Sequence, residues 1–302
     1  TFFIRSGVFL VLLLFPAPPG AHAQDFSFED MLSPPYPSEM VSARNVDRIA
    51  WISVERGRRN VYTAATPGFV PVKLTEWNDD DGRDLTSVRI SDDGEVIVFV
   101  RGHTPNRQGW VANPNNDPRG AERAIWAVSS HGGDPWRVTE GSSPALSPDG
   151  RWVLFERGGQ IYRSPVNVGT ALTERTDELP PLFLARGENE DPLWSPDGRY
   201  VAFVSDRDDH SFIGVYDTEQ PSVRYMAPGV DRDTQPVWSP DGSRLAFTAK
   251  RNGEKAQLQV ISLSGGEALE ITDMPLGVSS PKWMPGGGRI LFVSPVLPGY
   301  GG

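Results

Sequence analysis

The chain has 302 residues, enough for one large all-β domain or two ordinary domains. Its 39 acidic against 29 basic side chains give a formal net charge of −10, which excludes a general nucleic-acid or anionic-membrane partner, because both need a basic face. The absence of cysteine removes disulfides, thiolate metal sites and thiol nucleophiles.

At the N-terminus, Arg5 precedes an apolar run from Val8 to Phe15, then Pro16, Pro18, Pro19 and Gly20, then Ala21-His22-Ala23. One positive charge, a short apolar core and a small-x-small site predict a secretory signal peptide over 1–23, cleaved after Ala23. The apolar run is too short to span a bilayer of about 30 Å, so no membrane contact is expected once the signal is removed. The mature chain is expected to be periplasmic or secreted. Residues 24–40 read as a leader, with a short helix over 25–32 capped by Ser27 and ended by Ser33-Pro34-Pro35-Tyr36-Pro37.

From residue 41 onward one unit recurs. Trp238-Ser239-Pro240-Asp241-Gly242 leads into Leu245 and Phe247, which alternate onto one face of a strand. Pro presets φ, Asp bonds its own backbone and Gly tolerates φ > 0, so each copy predicts a hairpin corner. Equivalent corners stand at Ile90–Gly94, Leu146–Gly150, Trp194–Gly198 and, with Gly286 in place of Asp, Trp283–Gly287; a worn first copy lies at 45–51. The period is roughly 44 to 56 residues, as for four-stranded propeller blades. Third strands are expected at 60–64, 124–128, 160–163, 212–217 and 258–263, and fourth strands at 72–75, 136–139, 182–185, 223–226 and 269–272. The fold class is therefore all-β: a β-propeller over 41–302 built of four-stranded antiparallel blades, about six of them, with the residue before each corner and the Phe after it filling the inter-blade spaces. The stretch from Arg101 to Glu122 breaks the pattern and predicts a long rim loop.

Candidate chemistry is sparse. No Gly-x-Ser-x-Gly elbow occurs, so no catalytic residue is assigned. The acidic run 78–84 fails as a calcium loop: with Gly82 as the loop glycine, Trp77 and Val88 fall at the first and twelfth positions. It is read as a solvated turn. The repeated Asp93, Asp149, Asp197 and Asp241 serve the turn rather than a ligand. His103 and His131 stand alone in turns, so no metal and no cofactor are expected. The stretch Ser205–Gly214 holds one His among acids and an Arg; it is read as a polar hairpin between second and third strands, with Arg207, Asp208 and His210 as candidate substrate-binding residues. Glu122 is a further candidate.

The Pro-x-Trp-Ser-Pro-Asp-Gly-x-x-hydrophobic-Ala-Phe unit resembles the repeats of TolB-type periplasmic propellers. It also resembles the N-terminal propeller of the prolyl oligopeptidase family of serine peptidases, the dipeptidyl peptidase IV-like and acylaminoacyl peptidase-like members. The segments Phe26–Leu32, Asn113–Trp126, Ser205–Asp217 and Val230–Trp238 are similar to the leader helix and loop-to-strand segments of exported members. The resemblance implies a propeller that gates a separate α/β-hydrolase domain, with a peptide as substrate and a carboxylate holding the substrate's amino group. Against that pattern the chain is expected to lack the hydrolase and the last strands of its sixth blade, and hence to hydrolyse nothing alone. The competing expectation is a TolB-like protein-binding module. Self-association is an open alternative, and a metal-dependent lactonase-like propeller lacks the channel acids it requires.

Overall fold

The computed structural model describes residues 35–118, 120–166, 179–251 and 254–296. The expected signal peptide and leader helix lie outside them. Among the described residues every regular element is a strand, twenty-one in all, in six antiparallel sheets that each follow chain order.

The first sheet holds β1 (Tyr36–Ser42), β2 (Arg48–Glu55), β3 (Arg58–Ala65) and β4 (Val72–Lys73), so it opens ahead of the boundary expected at 41. The second holds β5 (Leu85–Ile90), β6 (Val96–Arg101), β7 (Ala124–Ser129) and β8 (Trp136–Glu140). The third has β9 (Ser142–Leu146), β10 (Trp152–Arg157) and β11 (Gln160–Pro165). The fourth has β12 (Glu188–Trp194), β13 (Tyr200–Asp206), β14 (Ser211–Asp217) and β15 (Ser222–Met226). The fifth has β16 (Asp233–Trp238), β17 (Arg244–Ala249), β18 (Gln257–Ser262) and β19 (Leu269–Glu270), and the sixth β20 (Ser279–Trp283) and β21 (Ile290–Val293). The expected strand at 182–185 is corrected to a single rung: the Leu182 N–H donates to the Ile161 carbonyl at 2.8 Å, and no ladder follows.

The corner residues act as their chemistry requires. In the fifth sheet the Ser239 hydroxyl donates to Asp241 at 2.5 Å and accepts the Arg244 N–H at 3.0 Å, while Asp241 accepts the Ser243 N–H. The same trio recurs at Ser91/Asp93, Ser147/Asp149 and Ser195/Asp197. The glycine that closes each turn sits in the left-handed region, φ +69° at Gly242, where a β-carbon is disfavoured.

Beyond the corner, Phe99, Phe155, Phe203 and Phe247 are completely buried at equivalent positions of successive sheets. Each such burial contributes about 2–3 kcal/mol. The tryptophan before the corner links neighbouring sheets: indole N–H groups of Trp194, Trp238 and Trp283 donate to the carbonyls of Ala145, Leu193 and Val237, one sheet back, at 3.1 to 3.2 Å.

The first strand of each sheet touches the first strand of the next, from β1 through β5, β9, β12 and β16 to β20, which makes these the inner strands of a propeller. Each carries a bulge with one left-handed non-glycine residue: Glu39, Ser87, Ser143, Asp191, Gln235 and Ser280, all at φ +50° to +58°. A bulge leaves backbone groups outside the ladder. Three of the freed N–H groups are met by the preceding sheet: Glu39 accepts from Val88, Glu156 from Asp191 and Gln235 from Ser280.

Strand polarity then sorts the connections. The Ser-x-Asp-Gly corners and third-to-fourth turns lie on one rim. The second-to-third hairpins and the links between sheets lie on the other. The acidic run 78–84, the long loop after Arg101 and the hairpin after Asp206 all share that second rim.

Candidate functional site

The rim cavity of about 790 Å³ is built on the β13–β14 hairpin. Asp206 accepts the Asp208 N–H at 2.8 Å, which holds the turn, and Asp208 itself is left-handed at φ +76°. Arg207, Asp208 and His210 all line this cavity, with Arg186, Glu188, Asp206, Asp209 and Phe212. Arg207 is committed to the wall: it donates to the Tyr225 hydroxyl at 2.7 Å and to Ser205 Oγ at 3.2 Å, beside the Phe212 and Tyr225 rings. His210 Nδ1 lies 2.5 Å from Asp209, a bond that holds the Asp209 carboxyl below the usual carboxylate range. Arg232, from the next inter-sheet link, pairs with Asp206 at 3.2 Å and donates to the Asp208 carbonyl. On the preceding link, just before β12, Gly187 lets the chain approach the hairpin, since a β-carbon there would lie 2.1 Å from the Asp206 carbonyl oxygen. With Arg207 and Arg232 engaged, the cavity presents the carboxylates of Asp208, Glu188 and the His210-bonded Asp209 to solvent, beside the exposed Arg186.

Glu122 does not line this cavity. It closes the long loop in the second sheet, within 3.3 Å of Arg83, 3.4 Å of Arg137 and 3.8 Å of Arg101. Arg83 also pairs with Asp117 at 3.2 Å, and both side chains are only 11% exposed. The acidic run read as a solvated turn is corrected to an ion-paired strap. Asp81 pairs with Arg101, Asp80 and Asp84 with Arg59, and Asp84 with His103 at 2.6 Å. At the loop's base, Gly102 donates to the Asp84 carbonyl and passes so close to Glu122 that a β-carbon would lie 1.9 Å from its carbonyl oxygen.

One group of acids has no local signature in the sequence. Glu156 on β10 accepts from Ser143 Oγ at 3.0 Å and from the Asp191 N–H at 2.6 Å, and burial pushes its pKa up. Glu190 is raised by burial and then by Asp191, Asp206 and Glu188. Glu156, Glu188 and Glu190 border a smaller recess of about 180 Å³ that shares Glu188 with the rim cavity. Carboxylates thus continue from the rim toward the inner strands. Glu188, Glu190 and Asp191 are neighbours along the chain, whereas Glu156 comes from another sheet.

Fold and rim together define a β-propeller module with an acidic mouth. Residues 174–296 match the family model described as the TolB beta propeller domain. A 107-residue stretch is 43% identical to the uncharacterized peptidase YuxL of Bacillus subtilis, which takes in 33% of this chain and 16% of that protein. A putative TolB from Agrobacterium tumefaciens is similar in structure, with a TM-score of 0.53 and 20% identity, over 87% of this chain and 92% of that one. A prolyl endopeptidase gives a TM-score of 0.61 at 13% identity, over 85% of this chain and 39% of that one. Residues 174–296 thus carry TolB-type propeller repeats, and the chain shares its propeller fold with a TolB and with a prolyl endopeptidase.

Proposed function

We propose that this chain is the substrate-gating propeller of an exported serine peptidase acting on peptides. The observation that carries the reading is the 43% identity to a peptidase, a level the fold alone does not demand and the structural neighbours do not reach. The acidic rim supports it physically. A mouth lined by Asp208, Asp209 and Glu188 attracts the ammonium end of a peptide, while the confined space behind it refuses folded proteins. Export rests on the Arg5, Val8–Phe15 and Ala21-His22-Ala23 pattern.

Binding is tested with a tripeptide amide carrying a free or an acetylated amino terminus, titrated calorimetrically into the 302-residue chain. The free amine is expected to bind more tightly, and to lose that advantage in Asp208→Asn/Asp209→Asn and at high salt. Equal binding of the two overturns the rim's role. The product of the complete gene is expected to react with a fluorophosphonate probe of serine nucleophiles and to cleave peptides; no labelling overturns the peptidase assignment. The matching family description and the coverage of 92% of the putative TolB favour a second reading, a protein-binding module, for which that gene product is unlabelled and co-purifies with an envelope protein.

A further inference from the structure

Between the inner strands of the second to fifth sheets lies a second cavity, of about 350 Å³, at the low end of small-ligand sites. Its walls come from the bulges, the residues after each and the corners that follow, and Arg44, Asp92 and Asp191 line it together with Arg89. The second residue after the left-handed one is Val41, Arg89, Ala145, Leu193, Val237 and Lys282 in successive sheets. Four of these are aliphatic, and Ala145, Leu193 and Val237 line the cavity. Arg89 puts a guanidinium where four of its five counterparts put an aliphatic group, the fifth being Lys282 of the sixth sheet, which does not line the cavity.

That guanidinium is open to the cavity and has little to hold it. Its recorded hydrogen bond goes to the carbonyl of its neighbour Val88, at 2.8 Å, and among the described residues it forms no ion pair. Glu39 and Asp191 act on it only through space, while surrounding protein strips enough water to lower its pKa. A cation with unused donors facing a cavity is stabilised by an anion that fits the guanidinium fork. The nearby carboxylates disfavour a multiply charged anion such as phosphate. Pro144, Pro236, Leu193 and Val237 favour an apolar body beside the charged end.

We propose that this cavity binds a monocarboxylate with an apolar body, its carboxylate seated on Arg89. A peptide C-terminus and a small free carboxylic acid share that chemistry. The proposal is independent of the rim reading, which concerns amino termini.

The test titrates three probes into the 302-residue chain: N-acetyl-Ala-Ala-Leu as the free acid, the same peptide as its C-terminal amide, and 4-methylpentanoate. Acetylation removes the ammonium that the rim needs, so failure at the rim leaves this result untouched. The acetylated acid or 4-methylpentanoate is expected to bind at least about tenfold more tightly than the amide, the size of one charge-assisted hydrogen bond. Arg89→Met is expected to abolish that preference, and Arg89→Lys to keep part of it. Binding of the peptide acid alone identifies a peptide end as the ligand, and binding of 4-methylpentanoate as well identifies a free-acid site. Equal binding of acid and amide by the unaltered chain, which needs no variant to fold, overturns the proposal. So does an undiminished preference in Arg89→Met, or no binding of either acid.

Discussion

Trp238→Phe isolates the link between the fourth and fifth sheets. Trp238 is 7% exposed, and its indole N–H donates to the Leu193 carbonyl at 3.1 Å. Phenylalanine keeps an aromatic ring against Tyr200, whose centroid lies 6.4 Å away, but removes the donor. A buried carbonyl left without its partner costs about 1–3 kcal/mol. The smaller ring leaves roughly 40 Å³ empty, worth about 1 kcal/mol at some 24 cal/mol per Å³. The expected loss is therefore about 2–4 kcal/mol. It is read from the guanidinium chloride midpoint followed by far-UV circular dichroism, which does not depend on the deleted fluorophore. The m-value serves as control, because a change in m signals sheets unfolding separately. Trp283→Phe, in the more open sixth sheet, should cost about half as much. A loss below about 0.5 kcal/mol for Trp238→Phe, or one no larger than for Trp283→Phe, would refute the claim that these indoles tie the sheets together.

Three further outcomes follow from the corner and the loop. Ser239 and the Ser243 N–H hold Asp241 at about 2, below its unfolded value of about 3.9. Its stabilising effect is therefore full above pH 4 and disappears as pH falls through 2. Asp241→Asn should lower the melting temperature at pH 6, with the gap from the unaltered chain closing between pH 4 and 2; a constant gap contradicts the assignment. Arg83→Met takes a guanidinium from Asp117 in a site where both side chains are 11% exposed, while Glu122 keeps Arg101 and Arg137, and should cost about 1–3 kcal/mol by denaturant midpoint. Gly102→Ala combines φ +118° with the contact against the Glu122 carbonyl, and should cost about 2–4 kcal/mol while exposing residues 103–121 to limited proteolysis; an unchanged cleavage pattern counts against it.

What could be read in advance was whatever one segment decides for itself. The Ser-x-Asp-Gly corner closes through bonds spanning two to five residues, so its geometry is written in five letters and recurs in four sheets. The hairpin after Asp206 is similarly local, and Arg207, Asp208 and His210 were brought together because the turn itself does so. The strap at 78–84 was misread because its charges are answered by Arg59 and Arg101 on other strands. Unpaired on paper, it resembles a hydrated turn. Glu156 was invisible for a related reason: its two partners, Ser143 and Asp191, belong to the inner strands of two sheets, and no spacing along the chain encodes that meeting.

The inner strands show why departures from a repeat are more informative here than the repeat. Six sheets under the same constraint share a bulge, a left-handed residue and, in four cases, a following proline at 144, 192, 236 and 281. Proline is tolerated there because the bulge has already removed that residue from the ladder, so its missing N–H breaks nothing. A residue that solves the same local problem in every sheet says little about ligands. Arg89, the loop after Gly102 and the Asp-rich hairpin at 206–209 solve no such problem. The loop and the hairpin each occur in one sheet, and Arg89 brings charge where, Lys282 of the sixth sheet apart, its counterparts are aliphatic. Placing an exposed, partly desolvated guanidinium without an ion pair in the channel forgoes the apolar packing of the valine or leucine its neighbours use, at some cost in stability. The fold offers no return for that cost, since the adjoining bulge amide is already satisfied by Glu39. An anion supplied from solution offsets it, which makes the acid-against-amide comparison at Arg89 the measurement on which the channel's role turns.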